Sequence, residues 1–217
     1  MFRTNRIFFG ALLAAGLVWL VHQSPAGDDK DFKDLFNGKN LEGWKIHPDK
    51  LDKTFSVEDG HIKVSGKPSG YFYTAKSYKN YILKFDWRYK RPDNLEDDKK
   101  FNGNSGLLVH IKEPHKVWPV SLEIQGANGS HASFIPIGGK DVGVTDNKFD
   151  KAALEKARHK VGEWNTTEAS IKNGDVVVKV NGTQVSSCKF TLPEGPFGFQ
   201  SEGAELHFKN IKIKVLD

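Results

Sequence analysis

The chain has 217 residues, 38% of them apolar and 12% aromatic, which is enough to bury a core and excludes a disordered chain. Its formal charge of +5 is carried by lysines spread along the sequence, which excludes the dense basic stripe of a nucleic-acid binder. Cys188 is the only cysteine, so the fold has neither an intramolecular disulfide nor a cysteine-rich zinc site.

In chain order, the first feature is MFRTNRIFFGALLAAGLVWLVHQSPAG. Arg3 and Arg6 precede an apolar run from Ile7 to Val21, which has the length of a signal-peptide core and is short of the roughly 20 residues a membrane span needs. Ser24-Pro25-Ala26 offers small residues where a signal peptidase reads. Residues 1–26 therefore read as an export signal or, because Pro25 sits beside the cleavage point, as an uncleaved anchor. No cysteine follows the run, so lipid attachment there is excluded. The protein is expected to be periplasmic or extracellular, touching a membrane only through this segment. Residues 27–31, GDDKD, form a charged linker, and residues 32–217 read as one domain.

Strand signals then recur with turn signals between them. FSVEDGHIKV reads as a hairpin around Asp59-Gly60, and YILKFDWRY alternates five apolar positions with Ile82, Lys84, Asp86 and Arg88. SGLLVHI and VWPVSLEIQGANG follow; the latter sets Val120, Leu122 and Ile124 against Ser121, Glu123 and Gln125. Asn173-Gly174 and Asn181-Gly182 mark two more hairpins, and the apolar phase slips near Asn210, as a β-bulge would cause. Only Lys148 to Gly162 reads as helix, with the longest helix expected within Asp150 to Lys160. The run Glu96-Asp97-Asp98 reads as a solvated loop with a cation site as the alternative, and Trp44 and Trp164 read as core plugs. Many short antiparallel strands in an aromatic-rich chain predict an all-β, two-sheet jelly-roll sandwich.

Applying the period-2 alternation to several strands gathers Asp86, Arg88, His110, Glu123, Gln125, Gln200 and Glu202 opposite the apolar side. Carboxylates, amides, a guanidinium and an imidazole are recognition chemistry, unlike the Lys and Thr of the later hairpin. Singly, each also reads as a solvated strand residue or half of an ion pair. Together they predict a polar concavity holding Asp86, Arg88, His110, Glu123 and Gln200, with Leu122 and Ile124 buried behind it. Tyr71, Tyr73 and Trp118 stand beside turn residues, where a ring could stack on a sugar or pack in the core.

The motifs LFNGKNLEGW, FNGNSGLLVH, LEIQG, VGEWNTTEASIKNG and FGFQSEGAELHFKNIKIKVL, in this order from about Asp34 to Leu216, resemble the domain-of-unknown-function 1080 family, also called 3-keto-disaccharide hydrolase or 3-keto-glucoside lyase and hydratase. The resemblance implies a concanavalin-like jelly roll in the bacterial envelope. It also implies cleavage of sugars already oxidised at carbon 3 by a partner oxidoreductase. The ketone acidifies C2–H, a base removes that proton, the enolate expels the oxygen on C1, and water adds back. It assigns Glu123 as base or acid, His110 as a second proton-transfer group or metal ligand, and Arg88 as a stabiliser of negative charge. Asn104, Gln125 and Gln200 would bind sugar hydroxyls, with Asp86, Glu202, Trp118 and Tyr71 completing the substrate contacts. No cofactor is required, and a divalent cation stays an option. The chain departs from the pattern at Glu202, where many members have His, and at His110, where many have Arg.

The jelly-roll glucanases carry a Glu-x-Asp-x-x-Glu strand whose carboxylates sit about 5 Å apart. Here the comparable strand reads Glu123-Ile124-Gln125, which disfavours ordinary retaining hydrolysis. A non-catalytic carbohydrate-binding module on the same fold is the rival expectation.

Overall fold

Alternating sequences pair edge to edge and bury one face, and that rule builds the whole domain. The structure, a computed structural model, describes residues 29–217 except Asp52; residues 1–26, expected to be an export signal or an anchor, lie outside the described residues. In order, the strands are β1 (Lys33–Asp34), β2 (Trp44–His47), β3 (Phe55–Glu58), β4 (His61–Val64), β5 (Gly70–Thr74), β6 (Tyr81–Tyr89), β7 (Gly106–Val109), β8 (Ser121–Gln125), β9 (Phe134–Ile137) and β10 (Thr145–Phe149). After helix α1 (Lys151–Ala157) come β11 (Asn165–Lys172), β12 (Asp175–Val180), β13 (Thr183–Lys189), β14 (Gly198–Ser201) and β15 (Leu206–Val215).

A nine-stranded sheet runs β10-β13-β12-β11-β6-β15-β4-β3, with β1 paired to β15; a six-stranded sheet runs β2-β5-β14-β7-β8-β9. All these pairings are antiparallel. This is the expected two-sheet jelly roll.

The core lies between the sheets. On β6 the odd positions Tyr81 to Tyr89 are buried and the even ones half-buried. They meet Phe72, Leu107, Val109, Leu122, Ile124 and Phe199 from the six-stranded sheet. Phe199 anchors the contact: its ring centroid is 4.9 Å from Phe85 and 4.6 Å from Phe208. Each such buried ring contributes about 1.5–3 kcal/mol of transfer free energy, so this seam holds the sheets together.

The turns follow the dipeptides. Asp59-Gly60, Asn173-Gly174 and Asn181-Gly182 all place both central residues at positive φ, between 48° and 84°, as tight twisted hairpins require. The expected bulge is present: the β15–β6 register shifts between Lys209 and Lys212, and Asn210 has φ 51°. Helix α1 is capped by the Asp150 carboxylate, which accepts from the Ala153 amide at 2.9 Å, and it buries only Leu154.

One local expectation is corrected. Trp44 is a core residue, its indole donating to the Leu35 carbonyl at 2.8 Å, but Trp164 is half-exposed. Its ring carries the Arg88 guanidinium at 4.6 Å and the Lys209 ammonium at 4.2 Å. The acidic run lies in an exposed loop, as expected: Glu96 and Asp97 are exposed, Asp97 caps the short helix Asp98–Lys100, and Asp98 pairs with Arg91 at 2.6 Å while accepting from the Val161 amide.

Candidate functional site

Strand β8 answers the question its pattern raises. All five residues from Ser121 to Gln125 are buried, so the polar face is as enclosed as the apolar one. Leu122 and Ile124 face the core, and Glu123 and Gln125 face the outer side of the six-stranded sheet. Register fixes their neighbours: Glu123 lies opposite Leu108, Gln125 opposite Gly106, and Gln200 opposite Tyr71.

Gly106 is where the polar groups meet. A Cβ there would collide with the Gln200 Oε1 and Glu123 Oε1 atoms and approach Glu123 Cγ to 2.8 Å. The missing side chain is therefore the space that lets the Glu123 carboxyl and the Gln200 amide converge. Their polarity is unspent: Glu123 Oε1, both amide atoms of Gln200 and Asn104 Oδ1 are buried and make no hydrogen bond within the protein. Such groups normally find partners, so an unpaired set of this size is an outlier that fits a ligand.

Electrostatics follow from that enclosure. Burial, then the neighbouring Glu202 carboxylate, push the Glu123 carboxyl up to about 7, with the Gln200 amide pulling the other way. Burial also raises Glu202, opposed by Asn104. One strand carries no carboxylate pair, but the fold supplies the second carboxylate from the residue after β14. A carboxyl that titrates near neutrality beside unpaired hydrogen-bonding groups is equipped for proton transfer.

The structure gathers Glu123, Gln200, Glu202 and Asn104 and separates the others. Gln125 lies beside them, but its Oε1 accepts from the Ala127 amide at 2.8 Å and closes the turn after β8. The expectation that Asp86 and Arg88 share the concavity is overturned, because β6 belongs to the nine-stranded sheet. The Asp86 carboxylate accepts from Thr166 and Asn210, both at 2.6 Å, and Arg88 Nε donates to His207 Nδ1 at 3.2 Å.

His110 is likewise displaced from the expected concavity. Its φ of +52° ends β7 and breaks the alternation, so the ring packs against Tyr81 and Phe190. Its Nδ1 lies 3.0 Å from the Leu192 carbonyl, and burial lowers its pKa, leaving a neutral imidazole among aromatic residues. Trp118 stands on the exposed loop between β7 and β8, while Tyr71 is fully buried, its hydroxyl 2.6 Å from His115 Nδ1. Among the described residues, no group of three or more His, Cys, Asp or Glu side chains is arranged to hold a metal ion.

Three residues near this face escaped the sequence reading. Gly106 looked like a strand start, and its role depends on two side chains distant in sequence. His47 and His115 flank prolines in WKIHP and EPHKVWP, where no periodicity assigns a face.

The family model for the 3-keto-alpha-glucoside-1,2-lyase-like domain matches residues 31–214. A 3-keto-disaccharide hydrolase of Bacteroides thetaiotaomicron is 21% identical, with 84% of this chain and 78% of that protein covered. Among solved structures, a candidate glycosyl hydrolase from Parabacteroides distasonis aligns with a TM-score of 0.62 and 26% identity, covering 86% of this chain and 94% of that one. A carbohydrate-binding module from Bacillus subtilis shares the fold at a TM-score of 0.57 and 11% identity, covering 79% and 95%. The ordered motifs, the two-sheet jelly roll and the match across almost the whole described domain agree: the chain belongs to the 3-keto-alpha-glucoside-1,2-lyase-like family.

Proposed function

We propose that this protein cleaves the glycosidic bond of 3-keto-glycosides, with Glu123 as the proton-transfer group and the Glu202 carboxylate as the neighbouring charge that raises it. The observation that carries the reading is the convergence of Glu123 and Gln200 over Gly106, buried and unpaired, with the carboxyl poised at about 7. Family membership supports the substrate class.

The chemistry suits these groups. The Glu123 carboxylate takes the C2 proton, and the C–H electrons pass to the C3 carbonyl oxygen as an enolate. The Gln200 amide, which converges on Glu123 over Gly106, donates to that oxygen through Nε2. When the enolate collapses, C3=O re-forms, C1=C2 forms, and the C1–O bond breaks. Glu123, now protonated, gives that proton to the departing oxygen. Water then adds its hydroxyl to C1 and gives its proton to the Glu123 carboxylate, which returns it to C2. The net result is hydrolysis.

The test is Glu123→Gln assayed on a 3-keto-glycoside and on its unoxidised parent. The kcat on the keto substrate should fall by roughly 10²–10⁴-fold, the range of general acid–base catalysis, with folding intact. The wild type should leave the unoxidised parent uncleaved, since its C2–H is not acidic. Full activity in the variant would overturn the assignment. The second reading, a carbohydrate-binding module, is favoured by one observation: Glu123 is only 5% exposed. It would give no turnover in either protein and a changed sugar affinity.

The supply of substrate by a sugar 3-oxidoreductase and export through residues 1–26 belong to the same proposal. Mass spectrometry of the protein from its native envelope tests export: a chain beginning near Gly27 supports it, and Met1 recovered in the soluble fraction opposes it.

A further inference from the structure

The outer face of the six-stranded sheet has a second half, made of rings. Tyr73 projects from β5 and His47 from β2, and His115 descends onto them from the β7–β8 loop. The His115 centroid is 4.5 Å from Tyr73 and 5.5 Å from His47, the latter stacked at 29°. Both ring nitrogens of His115 are fixed: Nδ1 lies 2.6 Å from the Tyr71 hydroxyl beneath it, and Nε2 lies 3.0 Å from Glu113 Oε1. Two anchors of opposite character hold the ring in one orientation against His47 and Tyr73, with about a sixth of its side chain left exposed. The loop is tied at its base by the Lys112 amide donating to the Val120 carbonyl at 2.9 Å.

Register ties this platform to the carboxyl cluster. Glu123 lies opposite Leu108, Leu108 opposite Gly198, and Gly198 opposite Tyr73. Tyr73 and Glu123 thus share one row, three strand spacings or about 14 Å apart. That span is longer than one sugar ring and is bridged by two. Resting on the reading of Glu123 given above, we propose that His47, Tyr73 and His115 form the subsite for the second sugar of the substrate, on the side of the departing oxygen.

The chemistry of the platform fits a sugar. Burial, with His47 and Lys45, lowers the His115 pKa against the opposing Glu113 and Asp49 carboxylates, so the ring is neutral at pH 7. The half-buried rings of Tyr73, His47 and His115 together present an apolar, partly exposed surface to the C–H face of a pyranose. Glu113, Asp49 and Lys45 are exposed around it and can meet the hydroxyls. Tyr71 is a positioning residue here, because it lies beneath His115 rather than on the surface.

The test compares kcat/KM for a 3-keto-disaccharide with that for a methyl 3-keto-glucoside. Tyr73→Ala and His115→Ala should each lower the disaccharide-to-methyl ratio about threefold to tenfold, the worth of one ring contact. Tyr71→Phe keeps the shape and removes the anchor; it should lower the same ratio less and move the His115 ring-proton resonances. Equal losses on both substrates, or an unchanged ratio in all three variants, would overturn the subsite. If the wild type turns over neither keto substrate, the Glu123 reading fails, and the subsite is then decided by titrating the unoxidised disaccharide. Shifts of the His47 and His115 ring protons sustain it, and silent spectra overturn it.

Discussion

The outer faces of the two sheets are built from similar residue types and differ in whether their polar groups are spent. On the nine-stranded sheet, Asp86 is held by Thr166 and Asn210, Arg88 by His207, Lys179 by Glu168, and Lys63 by Glu58. Even Trp164 is covered, carrying Arg88 and Lys209 on its ring. On the six-stranded sheet, Glu123, Gln200 and Asn104 are more deeply enclosed and keep atoms without partners. A buried polar atom left unpaired costs about 1–3 kcal/mol, whereas an exposed pair contributes about 1 kcal/mol or less. A fold that pays the larger cost on one face and satisfies the other marks the first as the working surface. The residue list alone does not separate the two faces, because Asp86 and Arg88 look as chemical as Glu123.

The sharpest way to break this contrast is to fill the space that creates it. Gly106→Ala puts a methyl group where Glu123 Oε1 and Gln200 Oε1 converge, flanked by Glu123 Cγ at 2.8 Å. The two side chains must separate by about the width of that group. Misplacing reacting groups by about 1 Å costs on the order of 10²-fold in rate, and overpacking costs about 1–3 kcal/mol of stability. Activity on a 3-keto-glycoside should therefore fall about 100-fold while the chain stays folded, as circular dichroism and a turnover assay would establish. A fully active Gly106→Ala would mean that the convergence over Gly106 has no catalytic role.

The next prediction sets stability against function at Glu123. Its folded pKa of about 7 stands above the ordinary glutamate value of 4.5, so the folded state holds the proton more tightly than the unfolded state. Its contribution is fully present below pH 4.5 and is lost as pH rises to 7. At pH 8 the buried carboxylate therefore weakens the fold by up to about 3 kcal/mol. Glu123→Gln removes the charge and keeps the shape, so denaturant unfolding should show the variant more stable than the wild type at pH 8 and close to it at pH 4.5. The same ionisation shapes the rate: kcat/KM of the wild type should rise through pH 7 as the base form fills. A stability difference between variant and wild type that is the same at pH 4.5 and pH 8 would place Glu123 in an ordinary solvated setting.

These contrasts explain what could be read from the sequence. The hairpins were legible because Asp59-Gly60, Asn173-Gly174 and Asn181-Gly182 carry their own backbone preference, and β6 was legible because nine residues alternate without interruption. The ordered motifs gave the family. Glu123 and Gln200 were legible by alternation, because β8 and β14 do lie in one sheet. Alternation assigns a face but does not say which sheet owns the strand, and so Asp86 and Arg88 were placed wrongly. It also presumes extended backbone, which His110 abandons at φ +52°. His47 and His115 were beyond it altogether, since their meeting depends on how a loop folds over β5.

The smallest effect is the control that gives the others their meaning. Asp86→Asn on the nine-stranded sheet weakens two short hydrogen bonds, from Thr166 and Asn210, by removing the acceptor's charge. The loss should be about 1 kcal/mol in denaturant unfolding, because the side chain is half-buried and water can compensate. The kcat on a 3-keto-glycoside should stay within about twofold, well below the factor of 10² expected of a group in proton transfer. The sheets join mainly through apolar side chains such as Phe85 and Phe199, and the hydrogen bonds that cross between them, such as Tyr89 to the Gly126 carbonyl and His131 to Thr167, do not include Asp86, whose partners are Thr166 and Asn210. A tenfold loss of kcat in Asp86→Asn, with stability unchanged, would return the nine-stranded sheet to the chemistry and erase the distinction between the faces.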